Sequence, residues 1–369
     1  MYKHVYYSTY KYNCEVRIMI FYSINLAIFI IYSLFTNTYY KNHKVYFWLV
    51  LVHLTLLLGL RSSVVGTDTS QYVGFYLEQN TGFNGNGTLV YSSLSNFINW
   101  ISNGNYHVFL FVLSLATVFF ILKSIEILDN DPDLMFWSVF IYLTFYFYFE
   151  SFNIQRQMLA ISMTMFSIAL LSKKCYFESG LMIVLAIGIH STAIFALIGF
   201  LIWMARKNRI TFIAVVLLAA LSNLFLNKLL NNFSQIFDHY QMYTDAVLES
   251  GGGTLLLGAF LLLLVIITVI FIDISDEKIM SFALFMTTIG AILFIFGSKS
   301  QLIIRMANYF AIYAIIFIPQ AIIKLTARFD QRIVKTVLEV VVIIVGLVIF
   351  YYKLSHNLGD IIPYSLNAL

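Results

Sequence analysis

Long apolar runs separated by short polar connections occupy most of this chain. They fall near residues 17–36, 45–60, 106–127, 134–149, 154–171, 211–226, 254–272, 280–297, 306–325 and 336–352. An α-helix needs about 20 apolar residues to cross a bilayer core, whereas a membrane barrel would alternate polar and apolar positions in strands of about 10 residues. The pattern therefore predicts an all-α, polytopic membrane helical bundle with about ten full spans. One further segment, 178–205, is apolar except for Gly188-Ile189-His190-Ser191-Thr192 at its centre. A break there lets the segment cross once, or enter and return as two half-helices whose freed backbone groups the Ser and Thr hydroxyls can satisfy.

Composition excludes a soluble protein. The chain is 60% hydrophobic and 11% charged, against about 25% charged residues in a soluble globule. The longest polar stretch, 61–105, is too short for an independent core. Residues 1–369 thus read as one integral membrane domain, with outer loops at 61–105 and 227–253. Basic residues precede the first run, but that run is too long for a secretory signal and has no small-residue cleavage site, so it reads as an uncleaved span. The net charge of +4 reflects topology in such a protein, and no nucleic-acid partner is expected. Lys and Arg collect in cytoplasmic loops, and the returning hairpin puts more of the 22 there than a single crossing does. Cys14 and Cys175 then face opposite sides and cannot bridge.

Against this background four residues stand at the ends or interruptions of apolar runs: Arg61, Arg156, His190 and Arg305. Membrane segments that keep ionisable groups generally use them. Arg61 is followed by Gly66-Thr67-Asp68-Thr69 and Tyr72, a turn into a short helix that Asp68 can cap. Asn153, Arg156, Gln157 and Ala160 follow helical spacing and form a polar strip at a helix start, where free backbone N–H groups favour an anion. The bland alternative is an ion pair between Arg156 and Glu150. Asn308 and Tyr309 lie three and four residues beyond Arg305. Arginine suits phosphate because its planar fork binds two oxygens together. An unperturbed imidazole titrates near neutrality, which makes His190 a natural general base, with Asp68 the competitor. Hairpin topology sends all of these to the outer side.

Other features have structural readings. Asp129-Asn130-Asp131-Pro132-Asp133 fits a turn capping the next helix, and Gly251-Gly252-Gly253 lacks the Lys-Ser/Thr of a phosphate loop. Residues 88–101 predict an interfacial helix with Val90, Leu94, Phe97, Ile98 and Ile101 on its apolar face and Ser93, Ser95, Asn96 and Asn99 turned away. The loop with Asp238, His239, Tyr240, Tyr243 and Asp245 mixes acids and aromatics as carbohydrate sites do.

Arg61 with Gly66-Thr67-Asp68-Thr69 and Tyr72, Asn153-Ile-Gln-Arg156-Gln157 with Ala160, His190, Arg305 with Tyr309, and Pro363-Tyr364 together resemble the EpsG-type family of bacterial exopolysaccharide polymerases, relatives in role of the Wzy-type O-antigen polymerases. The resemblance covers roughly residues 18–365. Such proteins commonly carry an acid where this chain has Thr88. The resemblance implies a membrane glycosyltransferase that joins repeat units carried on undecaprenyl pyrophosphate at the outer face of the cytoplasmic membrane.

The expected mechanism transfers a growing chain from one lipid pyrophosphate to a hydroxyl of the next unit. Arg61, Arg156 and Arg305 would bind the leaving pyrophosphate, and His190 or Asp68 would take the acceptor proton. Asn153, Gln157, Tyr72, Asn308 and Tyr309 would contact substrate. No metal and no other cofactor is expected; membrane lipids surround the protein and a chain-length regulator is a candidate partner. The rival readings are a flippase of the same lipid-linked sugars, which would present cations to both leaflets, and an acyltransferase reached from the cytoplasm.

Overall fold

A computed structural model describes residues 2–36, 43–78, 88–129, 132–205, 208–221, 252–275, 277–297, 300–329 and 331–366. Most of the outer loop expected at 227–253 lies outside the described residues. Helices make up nearly all of the described structure, and Arg61 and Leu366 form an isolated antiparallel bridge. The helices are α1 Tyr2–Phe35, α2 His43–Gly59, α3 Thr69–Glu78, α4 Leu89–Ser102, α5 Tyr106–Leu128, α6 Pro132–Thr144, α7 Phe147–Glu150, α8 Gln155–Ser172 and α9 Tyr176–Ile189. A 3₁₀ turn, Ser191–Ala196, leads to α10 Leu197–Met204. Then follow α11 Arg209–Leu221, α12 Gly252–Phe271, α13 Lys278–Phe296, α14 Gln301–Ala311, α15 Ala314–Phe329 and α16 Arg332–Ser355.

Each apolar run of the sequence has a helix, and the count of full spans is smaller among the described residues than the expected ten. Among the described residues four helices are long and apolar enough to cross a membrane alone: α5, residues 253–271 of α12, α13 and α16. The run at 306–325 is a bent pair, α14 and α15 meeting at 48°. Near 134–149 the helix stops at Thr144, because Tyr146 adopts φ 75°, a left-handed conformation that costs a non-glycine residue energy. The other apolar helices are shorter.

The awkward segment returns. Leu171 from the end of α8, Tyr176 from the start of α9, and Trp203, Met204 and Ala205 from the end of α10 line one cavity with Ser275 and Lys278. Both feet of the α9–α10 hairpin therefore stand at the same end of the bundle, and His190 sits at its tip. That end also carries Lys173, Lys174 and Lys278, and nearby Lys324 pairs with Glu277. Such a concentration of cations is what the positive-inside rule associates with a cytoplasmic surface.

Packing places the tip. Helix α8 lies between α5 and α9, and the 3₁₀ turn after His190 contacts both α8 and α14. Helix α13 is the most enclosed of the four long helices and α16 the least. Two buried polar links brace the bundle. Asp129 accepts from Ser138 Oγ at 3.1 Å and Gln320 Nε2 at 2.5 Å, so it joins α6 to α15 at the basic end. It is 4% exposed, a buried tie between helices in addition to its place at the end of α5. At the other end Lys353 lies 3.5 Å from Glu150 and over the Tyr146 ring at 4.7 Å, fastening α16 to the 146–150 turn.

Helix α4 is present and turns a mixed polar and apolar face inward. Tyr91, Ser95, Ile98 and Asn99 are buried, while Leu89, Phe97, Trp100 and Ile101 are exposed. In a bilayer the apolar side need not turn inward, and the polar side finds partners in protein: Asn99 Nδ2 donates to Tyr76 O at 3.2 Å.

Candidate functional site

The Arg61–Thr69 turn is clamped from two directions. Gly66 has φ +96°, and a Cβ there would stand 2.3 Å from Phe152 O, so only glycine permits this approach. Asn153 Oδ1 accepts from Thr67 N at 2.8 Å and from Thr67 Oγ1 at 3.1 Å, and Thr69 Oγ1 lies 2.9 Å from Phe152 O. From the other side the C-terminal segment straps the turn, with Gly66 N donating to Asp360 O and Ser62 N to Ser365 O, each at 2.9 Å. Tyr364 Oη reaches Leu57 O at 2.9 Å.

This clamp encloses Arg61, which was expected on a pyrophosphate. Its side chain is 0% exposed. The guanidinium donates to Leu58 O, to Thr69 Oγ1 and Gln155 Oε1 at 3.4 Å each, and lies over the Phe152 ring at 5.3 Å. Burial pushes it down to about 10, which still leaves a cation at neutral pH. Arg61 thus knits α2, α3 and the start of α8 together. Asn153 serves the same clamp, and Gln157, 3% exposed, donates to Arg305 O at 2.5 Å.

What the clamp presents is Asp68. Its Oδ2 lies 3.1 Å from Arg305 Nη2, with the two side chains 20% and 22% exposed, and Oδ1 accepts from Thr67 Oγ1 at 3.2 Å. Arg305 comes from α14, whose first turn is capped by Ser300 Oγ accepting from Ile303 N at 3.5 Å.

Arg156 approaches from α8. It stacks on the Tyr91 ring at 4.2 Å, its Nη2 donates to Ile189 O at 3.4 Å, and its Nε is buried without a partner. The ion pair with Glu150 does not form, since Glu150 takes Lys353. Among the described residues Arg156 has no carboxylate within ion-pair distance. Thr88 Oγ1 donates to the same Ile189 O at 2.7 Å, tying α4 to the hairpin tip.

His190 completes the group. Its Nδ1 is 2.7 Å from Thr192 Oγ1, which in turn is 3.1 Å from Tyr309 Oη. Both Arg156 and Arg305 act electrostatically on the ring. Five separate stretches, at Asp68, Thr88–Tyr91, Arg156, His190–Thr192 and Arg305–Tyr309, therefore meet at one end of the bundle. Tyr309 is buried but hydrogen-bonded into the group, Tyr72 is partly buried on α3, and Asn308 is 3% exposed with Nδ2 unpaired. Asn308 lines a separate small crevice with Glu150 and Lys353.

Tyr91 is the contributor that sequence reading missed, because spacing along α4 does not say which of its faces turns inward. The polar row Tyr91, Ser95, Asn99 at helical spacing was the available signal.

Fold and site define a class: a multi-pass helical membrane protein with a carboxylate, two guanidiniums and an imidazole gathered at one end. The chain belongs to the EpsG family of polysaccharide polymerases, whose family model matches residues 44–366 and so contains every member of this group. Neither the curated proteins nor the solved structures yielded a match.

Proposed function

We propose that this protein joins oligosaccharide repeat units carried on undecaprenyl pyrophosphate, at the outer face of the cytoplasmic membrane, to build an exopolysaccharide, capsule or O-antigen chain. The observation that carries this reading is the meeting of Arg156 and Arg305 beside His190, at the end of the bundle away from the basic connections. Arg156 has an unpaired Nε and Arg305 lies beside the same imidazole, so the two guanidiniums suit a ligand with several anionic oxygens.

In the reaction a hydroxyl of the acceptor unit attacks the anomeric carbon of the donor sugar. The bond from that carbon to the phosphate oxygen breaks, and the lipid pyrophosphate departs with the electron pair. Arg156 and Arg305 stabilise its growing charge, an effect that strengthens where water is scarce. The scheme is metal-independent because the guanidiniums supply the positive charge. His190 takes the acceptor proton at Nε2. In the tautomer that permits this, Nδ1–H donates to Thr192 Oγ1 and the threonine hydroxyl donates a hydrogen bond to Tyr309 Oη. Asp68 is assigned to orienting Arg305, and Arg61, Asn153 and Gln157 to holding the frame; the sugars fall to Tyr72 and Asn308 only if the cluster opens toward them.

The purified protein supplied with lipid-linked repeat units in detergent tests this. Elongated product that disappears in Arg156→Ala supports it. Movement of the lipid-linked sugar between vesicle leaflets with no elongation would make the protein a flippase instead.

A further inference from the structure

A cavity of about 610 Å³ lies between the feet of the α9–α10 hairpin, at the opposite end from His190, lined by Leu171, Tyr176, Phe200, Trp203, Ser275 and Lys278 among others. That volume falls in the range of small-molecule sites. Its one described cation is Lys278, whose Nζ stands 4.3 Å from the centre of the Trp203 ring. The described acids beside it in sequence, Asp273 and Glu277, are committed elsewhere. Glu277 pairs with Lys324, and Asp273 Oδ1 accepts from Ser275 N at 3.0 Å and Ser275 Oγ at 2.8 Å. Among the described residues no carboxylate lies within ion-pair distance of Lys278.

The surroundings are those of a membrane interface. Tyr176 and Trp203 are the residue types that settle at headgroup depth. Lys173 and Lys174 adjoin Tyr176 in sequence and are exposed, and Leu201 and Met204 are 68% and 82% exposed on the outer side of α10, where acyl chains would cover them. A cation and a hydroxyl at the wall of a cavity, with apolar side chains leading away from it, match an amphiphile whose polar end is anionic.

We infer that this cavity binds the phosphate of an anionic phospholipid from the cytoplasmic leaflet, with Lys278 as its cationic contact and the chains against Leu201 and Met204. The lipid would fill the space between the two feet and so brace the hairpin that carries His190 at its tip. This assignment is independent of the polymerase reading, since it concerns the other end of the molecule and its test needs no glycosyl transfer.

The experiment measures thermal unfolding of the full chain in detergent, titrated with dioctanoyl phosphatidylglycerol, dioctanoyl phosphatidylcholine or inorganic phosphate. Phosphatidylglycerol is expected to raise the midpoint in a saturable way that the other two do not reproduce. Lys278→Gln is expected to weaken that binding about fivefold, Lys278→Arg to retain it, and Lys335→Gln, which alters an exposed cation of α16, to leave it unchanged. Equal stabilisation by phosphatidylcholine would remove the role of charge, and equal stabilisation by inorganic phosphate would make this a site for a soluble anion. Unchanged binding in Lys278→Gln would remove the residue from the site. The lipid comparison on the unmodified protein decides the matter even if a variant fails to fold.

Discussion

Asp68 and Arg305, 237 residues apart in the chain, share an ion pair of 3.1 Å at the end of the bundle where the hairpin tip arrives. Each is about one-fifth exposed, so the pair is neither locked in the interior nor free in water. Asp68 holds Nη2 of the Arg305 guanidinium and so sets the direction in which that group points. Removing either partner should therefore have unequal effects. Arg305→Ala is expected to lower elongation by about 10²- to 10³-fold, the scale seen when a stabilising donor is removed from a reacting centre, and Arg305→Lys to recover little of it. Asp68→Asn should cost much less and act mainly on substrate affinity. Rates of polymer formation from lipid-linked repeats measure both, and a loss in Asp68→Asn equal to that in His190→Ala would make Asp68 the base.

The chain from His190 through Thr192 to Tyr309 gives a second prediction. Thr192→Val removes the oxygen that orients the imidazole while keeping its shape. Turnover should fall by about tenfold with little change in apparent affinity or protein abundance, and Tyr309→Phe should fall less. Turnover equal to the parent protein in Thr192→Val would detach this chain from the chemistry.

Arg61 and Arg156 should separate in what they damage. Arg61 is enclosed and bonded to three different segments, so Arg61→Ala leaves buried acceptors without a donor and is expected to destabilise by about 1–3 kcal/mol. Its signature is a lower melting temperature and less protein in the membrane. Arg156→Ala should melt near the parent protein and lose polymer length. Normal long polymer at normal abundance in Arg156→Ala would take that residue out of the mechanism.

Gly66→Ala tests the clamp. The added methyl would meet Phe152 O at 2.3 Å in a backbone conformation alanine resists, and the turn bearing Asp68 must shift. A loss of about 1–3 kcal/mol is expected, read as a lower melting temperature together with reduced elongation. Full stability in this variant would show that the turn has room the packing denies.

The hairpin itself is open to labelling. Cysteines placed at Lys174 and at Arg209, beyond its two feet, should react with an impermeant thiol reagent from the same side of the membrane. Labelling from opposite sides would restore a single crossing and move every later helix to the reverse orientation.

Much of this architecture was legible as pattern. A bilayer demands length and apolarity of any segment that crosses it, so every apolar run corresponds to a helix, and the clustering of Lys and Arg favoured the returning hairpin that the cavity at its feet then showed. Arg156, His190 and Arg305 could be singled out because an ionisable group in an apolar run needs a reason to be there. Single-chain pattern does not say how far a helix holds together, which is why the run at 134–149 and the run at 306–325 each broke where a local conformation or a 48° bend intervened. Nor does it say which face of α4 turns inward, since lipid accepts apolar side chains as readily as protein does.

Sequence by itself determined that this is a helical membrane protein, and which few charged residues could matter, because the hydrocarbon core penalises each of them one position at a time. Only the tertiary structure decided their division of labour. Arg61 is closed under Phe152 while Arg305 faces Asp68 and Arg156 lies on Tyr91, and no spacing could distinguish three arginines at three helix ends. The reason is that burial and pairing depend on contacts between residues hundreds of positions apart, which arise only once the helices have packed.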